Sequence, residues 1–278
     1  MRLIKTGAEQ RGRQNGSHGS HSTAIMPSPH LPAEMLDNIV DLLHDAREAL
    51  GTCCLVSKSW VPRTRKHLFA HVALSYPTRL RSWKTTFPDP STSPAHYTRS
   101  LFIQFPCAVT PADAEEGGWI PTFSHVVSLA ISIEATNASV PLSLFHGFSP
   151  VIRSLRLAST TVAPSLTLDF ICSFPLLEDV SLIAWFVDTN RTTTDDQPTS
   201  FQLSKPPALT GSLELSFVFG MGLIPTRLMS LPSGLHFRRL DLAWSSDEDI
   251  SSTAALVERC CHTIEYLNIG FGSISTWF

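Results

Sequence analysis

The side chains best equipped for chemistry in this chain are its histidines and cysteines, and their spacing assembles no catalytic set. His67 and His71 stand four apart, which on one helix would place two imidazoles on one face as a metal pair. No acid or cysteine lies beside them in sequence, so a surface or packing role is expected. Cys260-Cys261-His262 reads as the buried end of a helix, and His18, His21 and His30 fall in a polar tail. The six cysteines are Cys53, Cys54, Cys107, Cys172, Cys260 and Cys261. Two vicinal pairs and no C-x-x-C spacing fit a reduced, intracellular protein and leave out a RING-type zinc site. Asp247-Glu248-Asp249 reads as a solvated helix start, where acids suit the dipole. The glycine-rich phosphate loops, the dinucleotide fingerprint and the G-x-S-x-G nucleophile elbow are all missing. The expectation is a binding protein rather than an enzyme, without metal or cofactor.

Whole-chain properties narrow the partners. With 278 residues and 43% hydrophobic content, the chain can bury one or two cores. A net charge of −3 supplies no basic field for nucleic acid, and Arg63-Thr64-Arg65-Lys66 is a short basic run of the kind that solvates a helix face. No apolar run approaches the 18 or so residues of a membrane span. Residues 1–27 are rich in Gly, Ser, His, Arg and Gln and read as a disordered tail, although the shortage of acids also allows a transit peptide.

The elements that must position any site follow from a repeat. A short apolar–polar phrase recurs at Ser100-Leu101-Phe102-Ile103, Ser128-Leu129-Ala130-Ile131, Ser154-Leu155-Arg156-Leu157 and Asp179-Val180-Ser181-Leu182. It returns at Ser212-Leu213-Glu214-Leu215, Arg239-Leu240-Asp241-Leu242 and Tyr266-Leu267-Asn268-Ile269. Such alternation predicts seven half-buried strands. Their first apolar positions are spaced 25 to 28 residues apart, with one interval of 33. The long interval holds a polar insertion, residues 188–205, and Pro88 to Pro94 reads as a link near the start of the repeats. Helices are expected over Leu142 to Phe148, Leu168 to Phe174, Leu223 to Leu231 and Ile250 to Cys261. A strand and a helix in every such unit resembles a degenerate leucine-rich-repeat solenoid over 76–278, α/β in class; an ordinary α/β domain with seven strands is the other reading. In a solenoid, Phe102, Ala130, Arg156, Ser181, Glu214, Asp241 and Asn268 would form one row on the open sheet face. Phe102, Arg156, Glu214, Asp241 and Asn268 are its candidate target-binding residues, suited to a basic or hydrogen-bonding segment. The apolar end, Gly270 to Phe278, lacks a polar cap, as for a truncated, partner-covered or exposed edge.

Ahead of the repeats, Leu31 to His71 carries more apolar surface than so short a module can hide. Leu36, Ile39, Val40 and Leu43 fall at i, i+3, i+4 and i+7, one helical face. A second helix is expected over Ala46 to Val56, broken near Gly51, and a third over Trp60 to Ala70 with Pro62 in its first turn. Leu42, Leu55, Trp60 and Leu68 lie partly outside any single buried face.

This stretch resembles an F-box, the adaptor-binding module of cullin–RING ubiquitin ligases. The resemblance rests on Leu31-Pro32, Glu34, Leu36, Ile39, Leu42-Leu43, Leu50, Cys54, Val56, Trp60 and Leu68-Phe69 in order. Met35, where a second Glu or Leu is common, and the proline-free turn His44 to Arg47 depart from the pattern. The resemblance implies an F-box module over 28–75 that binds a Skp-type adaptor through Leu31, Pro32, Leu36, Ile39, Leu43, Val56, Trp60 and Leu68. It also implies a substrate receptor of a cytoplasmic or nuclear ligase, whose solenoid holds an unidentified target protein. A leucine-rich-repeat scaffold with no ligase role is the alternative.

Overall fold

The computed structural model describes residues 32–106, 117–133, 142–145, 148–158, 164–183, 209–216, 223–231, 234–244 and 250–271. The 1–27 tail, Leu31, Cys107, the 188–205 insertion and Asp247 to Asp249 lie outside them.

Three short helices come first: α1 over Ala33–Leu42, α2 over Arg47–Val56 and α3 over Val61–Leu68. Pro32 opens α1, where its missing N–H costs nothing. Helix α2 runs unbroken through Gly51, contrary to the expected break; a side chain there would meet open space, so nothing forces the backbone out of the helix. A single 3₁₀ turn, Lys58–Trp60, leads into α3, with the Ser57 hydroxyl accepting from the Ser59 amide.

Eight parallel strands follow: β1 His71–Ser75, β2 Ser100–Phe105, β3 Ser128–Ile133 and β4 Ser154–Ala158, then β5 Asp179–Ile183, β6 Ser212–Ser216, β7 Arg239–Trp244 and β8 Tyr266–Phe271. They pair in chain order, each with its predecessor and successor. The seven phrases read from sequence are β2 to β8. Strand β1 is additional and lies inside the 28–75 stretch assigned to the helical module, yet it bonds to β2 from His71↔Ser100 onward. Pro88 to Pro94 accordingly sits in the β1–β2 crossover rather than ahead of the sheet.

Parallel neighbours need a crossover on every return. These contain α4 (Thr78–Thr86), 3₁₀ turns at Pro94–Tyr97, Gly117–Thr122 and Leu142–Phe145, then α5 (Pro164–Cys172), α6 (Leu223–Met229) and α7 (Ile250–Cys260). The Leu142 helix expectation is met only by a 3₁₀ turn.

Register follows from the phrase. Val72, Leu101, Leu129, Leu155, Val180, Leu213 and Leu240 form one buried row, and Leu74, Ile103, Ile131, Leu157, Leu182, Leu215 and Leu242 a second. A one-residue slip would turn both rows to solvent, so burial fixes the alignment. At the strand entrances one carbonyl often accepts two amides of the next unit. Ala70 O takes Arg99 N and Ser100 N, Arg99 O takes Val127 N and Ser128 N, and Val127 O takes Arg153 N and Ser154 N. The same pattern recurs at Arg153 O, Gly211 O and Arg238 O, whereas Glu178 O takes only Gly211 N because Ser212 N turns to the Asp179 carboxylate. At Gly211 a Cβ would stand 3.0 Å from the Glu178 carbonyl, and the Asp179 carboxylate that caps Ser212 N at 2.6 Å occupies the remaining space.

The helices join the sheet through rings and one arginine. Phe69 lies 5.8 Å from Trp83 and 5.9 Å from Phe87, and Trp83 lies 5.4 Å from Phe123. Arg47 donates to the carbonyls of Leu68 and His71, the end of α3 and the start of β1.

Candidate functional site

Helix α1 carries apolar residues on two faces. Val40 is buried and Leu36 and Leu43 are half-buried, whereas Met35, Ile39 and Leu42, at i, i+4 and i+7, face solvent. The stripe read from sequence therefore divides: Ile39 belongs to the outer face and Leu36, Val40 and Leu43 to the inner. Helix α2 divides similarly, with Leu50 and Cys53 inside and Leu55 and Val56 outside. Leu42, Leu55 and Val56 are 82%, 88% and 66% exposed, far more than packing between these helices explains. Pro32 is exposed, while Trp60 and Leu68 are half-buried. Of the expected adaptor residues, Pro32, Ile39 and Val56 thus stand on the surface, and Leu36, Leu43, Trp60 and Leu68 divide themselves between core and surface. Met35, Leu42 and Leu55 were not among the expected residues; the i, i+4, i+7 spacing of Met35, Ile39 and Leu42 was the signal for the first two.

Polar ties hold the module rigid behind this surface. Arg63 Nε donates to Asp41 Oδ1 at 2.6 Å, its Nη2 donates to Oδ2, and His67 Nε2 donates to Oδ1 at 2.7 Å. Arg63 foremost, and then His67, hold the Asp41 carboxyl well below the usual carboxylate range. The buried Thr64 hydroxyl donates to the Trp60 carbonyl at 2.8 Å and meets Cys54 Sγ at 2.8 Å, linking α2 to α3. His67 and His71 do not share a helix: α3 ends at Leu68, and His71 opens β1 with its side chain exposed. The acid that His67 does meet lies 26 residues away in sequence, beyond the reach of a spacing argument.

On the open sheet face the expected row is in register. Ala73, Phe102, Ala130, Arg156, Ser181, Glu214, Asp241 and Asn268 are successive cross-strand partners. Glu214 and Asp241 are direct neighbours, an arrangement that repels on its own. Donors offset it: Ser181 Oγ donates to Glu214 at 2.6 Å, Asn268 Nδ2 to Asp241 at 2.7 Å, and Arg239 stands 3.6 Å from Asp241. Arg239 also lies over the Tyr266 ring, 4.3 Å from its centroid. Phe102 and Arg156 are exposed towards the other end of the row.

Burial makes the inner thiols poor nucleophiles. It pushes the Cys172 thiol up to about 11, with Asp169 adding to the effect, and raises Cys260 as well. Cys261 and His262 are exposed, so the Cys260-Cys261-His262 run is buried only at its first residue. Among the described residues no three His, Cys, Asp or Glu side chains come together as a metal site, and no helix is long and apolar enough to cross a membrane.

No protein-family model matches this chain, and neither does any curated protein.

Proposed function

We propose that this chain is the substrate-recognition subunit of a Skp–cullin–F-box ubiquitin ligase, working in the cytoplasm or nucleus. The three helices within residues 28–75 act as the F-box and the chain-ordered sheet, β1 included, as a leucine-rich-repeat solenoid. The observation that carries this reading is the outward apolar set Met35, Ile39, Leu42, Leu55 and Val56 on two helices that already have an inner core. Exposed apolar surface of that extent is what a protein interface requires. The F-box resemblance of the same helices names a Skp-type adaptor as the partner. The open row from Phe102 to Asn268 holds the target, with Glu214 and Asp241 receiving donors of a basic or hydrogen-bonding segment. Catalysis is then supplied by other subunits. This chain contributes proximity, raising the target's effective concentration beside the charged ubiquitin carrier.

The test is co-purification of the full chain with a Skp-type adaptor. Leu31→Ala combined with Pro32→Ala is expected to abolish it, and retention of the adaptor by a folded double variant overturns the reading. A solenoid scaffold with no ligase role would keep its other partners and show no adaptor.

A further inference from the structure

A second feature lies at the junction of the helices and the sheet. A surface pocket of about 360 Å³ is lined by Lys66, His67, Ala70, His96, Tyr97, Arg99 and His125. Lys66 and Arg99 are cationic, three more of those side chains are imidazoles, and no carboxylate lines the space among the described residues. The nearest acid to act on a lining residue is Asp41, whose oxygens are already held by Arg63 and His67. The chain as a whole carries −3, so this concentration of positive charge runs against its overall balance.

The repeat explains why the charge is uncompensated. Arg99 occupies the strand-entrance position shared by Arg153 and Arg238. There Arg153 pairs with Glu178 of the next unit, and Arg238 stands 3.7 Å from Glu265 of the next. The corresponding neighbours of Arg99 are Ala70 before it and Val127 after it, neither able to pair. Its guanidinium instead donates to the backbone carbonyl of His125 at 3.3 Å, and among the described residues no carboxylate pairs with it. Lys66, on the exposed side of α3, adds a second positive charge, an ammonium. His96 is fixed by its Nδ1 donating to the Ser93 carbonyl at 2.6 Å and by a tilted ring contact with Tyr97, 3.9 Å between centroids, so its Nε2 is an acceptor on the neutral ring and a donor only on the imidazolium. A planar guanidinium, an ammonium and imidazoles around a space that no described carboxylate lines are groups that suit an oxyanion.

We propose that this pocket binds a phosphoryl dianion. Arg99 and Lys66 supply the charge, His125 supplies a directional donor and His96 does so in its protonated form, and Ala70 and the Tyr97 ring leave room for the carbon to which the phosphate is attached. The dianion comes either as free phosphate or on a phosphorylated serine of a partner. Neither adaptor docking nor the open sheet row enters the argument, so the site stands or falls separately from the proposed ligase role.

The experiment is a titration of the full chain with inorganic phosphate at fixed pH and ionic strength, read from the imidazole NMR signals of His96 and His125. A saturable shift of both is expected. Arg99→Gln and Lys66→Gln are each expected to weaken it by about tenfold, the loss of one charge-assisted contact. Arg153→Gln, which removes the same residue type from a paired strand-entrance position, is expected to leave it unchanged. Thermal melts establish that each variant is folded, and Lys66→Gln, on an exposed helix surface, serves if Arg99→Gln is not. A peptide carrying one phosphoserine is then compared with its unphosphorylated twin. Tighter binding than inorganic phosphate assigns a phosphorylated partner, and binding no tighter assigns free phosphate. Shifts that do not saturate, or that persist equally in Arg99→Gln and Lys66→Gln, overturn the proposal.

Discussion

Leu42 and Leu55 can be set against Leu50 to separate docking from folding. Leu50 is 0% exposed, and Leu42 and Leu55 are 82% and 88% exposed. Truncating Leu50 to Ala leaves a cavity in the module and is expected to cost about 2–5 kcal/mol. Truncating Leu42 and Leu55 to Ala removes side chains that the free chain already leaves in water, so stability should move by no more than about 0.5 kcal/mol. A partner that covers both gains about 2 kcal/mol from each, since little of either is buried beforehand. Their joint removal should then weaken adaptor binding by several hundredfold to about a thousandfold, if the two sites add. Urea unfolding gives the first quantity and calorimetric titration with a Skp-type adaptor the second. The reasoning is refuted if the double variant binds within about threefold of the parent, or if it loses as much stability as Leu50→Ala.

Two further outcomes test the frame. The Thr98 hydroxyl is fully buried and has no hydrogen-bond partner, at the position where later units place Val126, Ile152 and Leu177. Thr98→Val should therefore stabilise the chain by about 1 kcal/mol or more in urea unfolding, and a loss of stability would mean that the hydroxyl is satisfied in solution. Asp41→Asn should destabilise by about 1 kcal/mol at pH 7, a figure discounted because the carboxylate is a third exposed. Asp41 titrates lower when folded than when unfolded, so its contribution is complete above the ordinary carboxyl value of about 3.9 and fades as pH falls through the folded value. The gap between parent and variant should close only in strong acid; a gap already closed at pH 5 contradicts the Arg63 and His67 contacts.

Much of the sheet was legible because its signal is local. A period-2 phrase repeated at a near-constant interval determines strand, face and, with one face buried, register, so the row from Phe102 to Asn268 could be written down in order. The first strand escaped because His71-Val72-Ala73-Leu74-Ser75 follows α3 after only two residues and lies within the stretch read as a helical module. Val72 lies 29 residues before Leu101, one residue beyond the 25-to-28 spacing of the later units. The division of α1 and α2 was less legible: when Met35, Leu36, Ile39, Val40, Leu42 and Leu43 are all apolar, periodicity offers two stripes and only packing against α3 selects the inner one.

The sequence by itself determined an α/β chain of repeated strands behind a short, apolar-rich helical module, because alternation and spacing are properties of neighbours. The tertiary structure decided everything that depends on residues distant in sequence: that Asp41 meets Arg63 and His67, that His67 and His71 part company at the end of α3, and that Ile39 faces solvent while Val40 beside it is buried. It also decided that Arg99, between Ala70 and Val127, meets no acid among the described residues while Arg153 and Arg238 find acids in the next unit. Contacts of that kind are made across strands and helices, and no spacing along the chain encodes which side chains meet there.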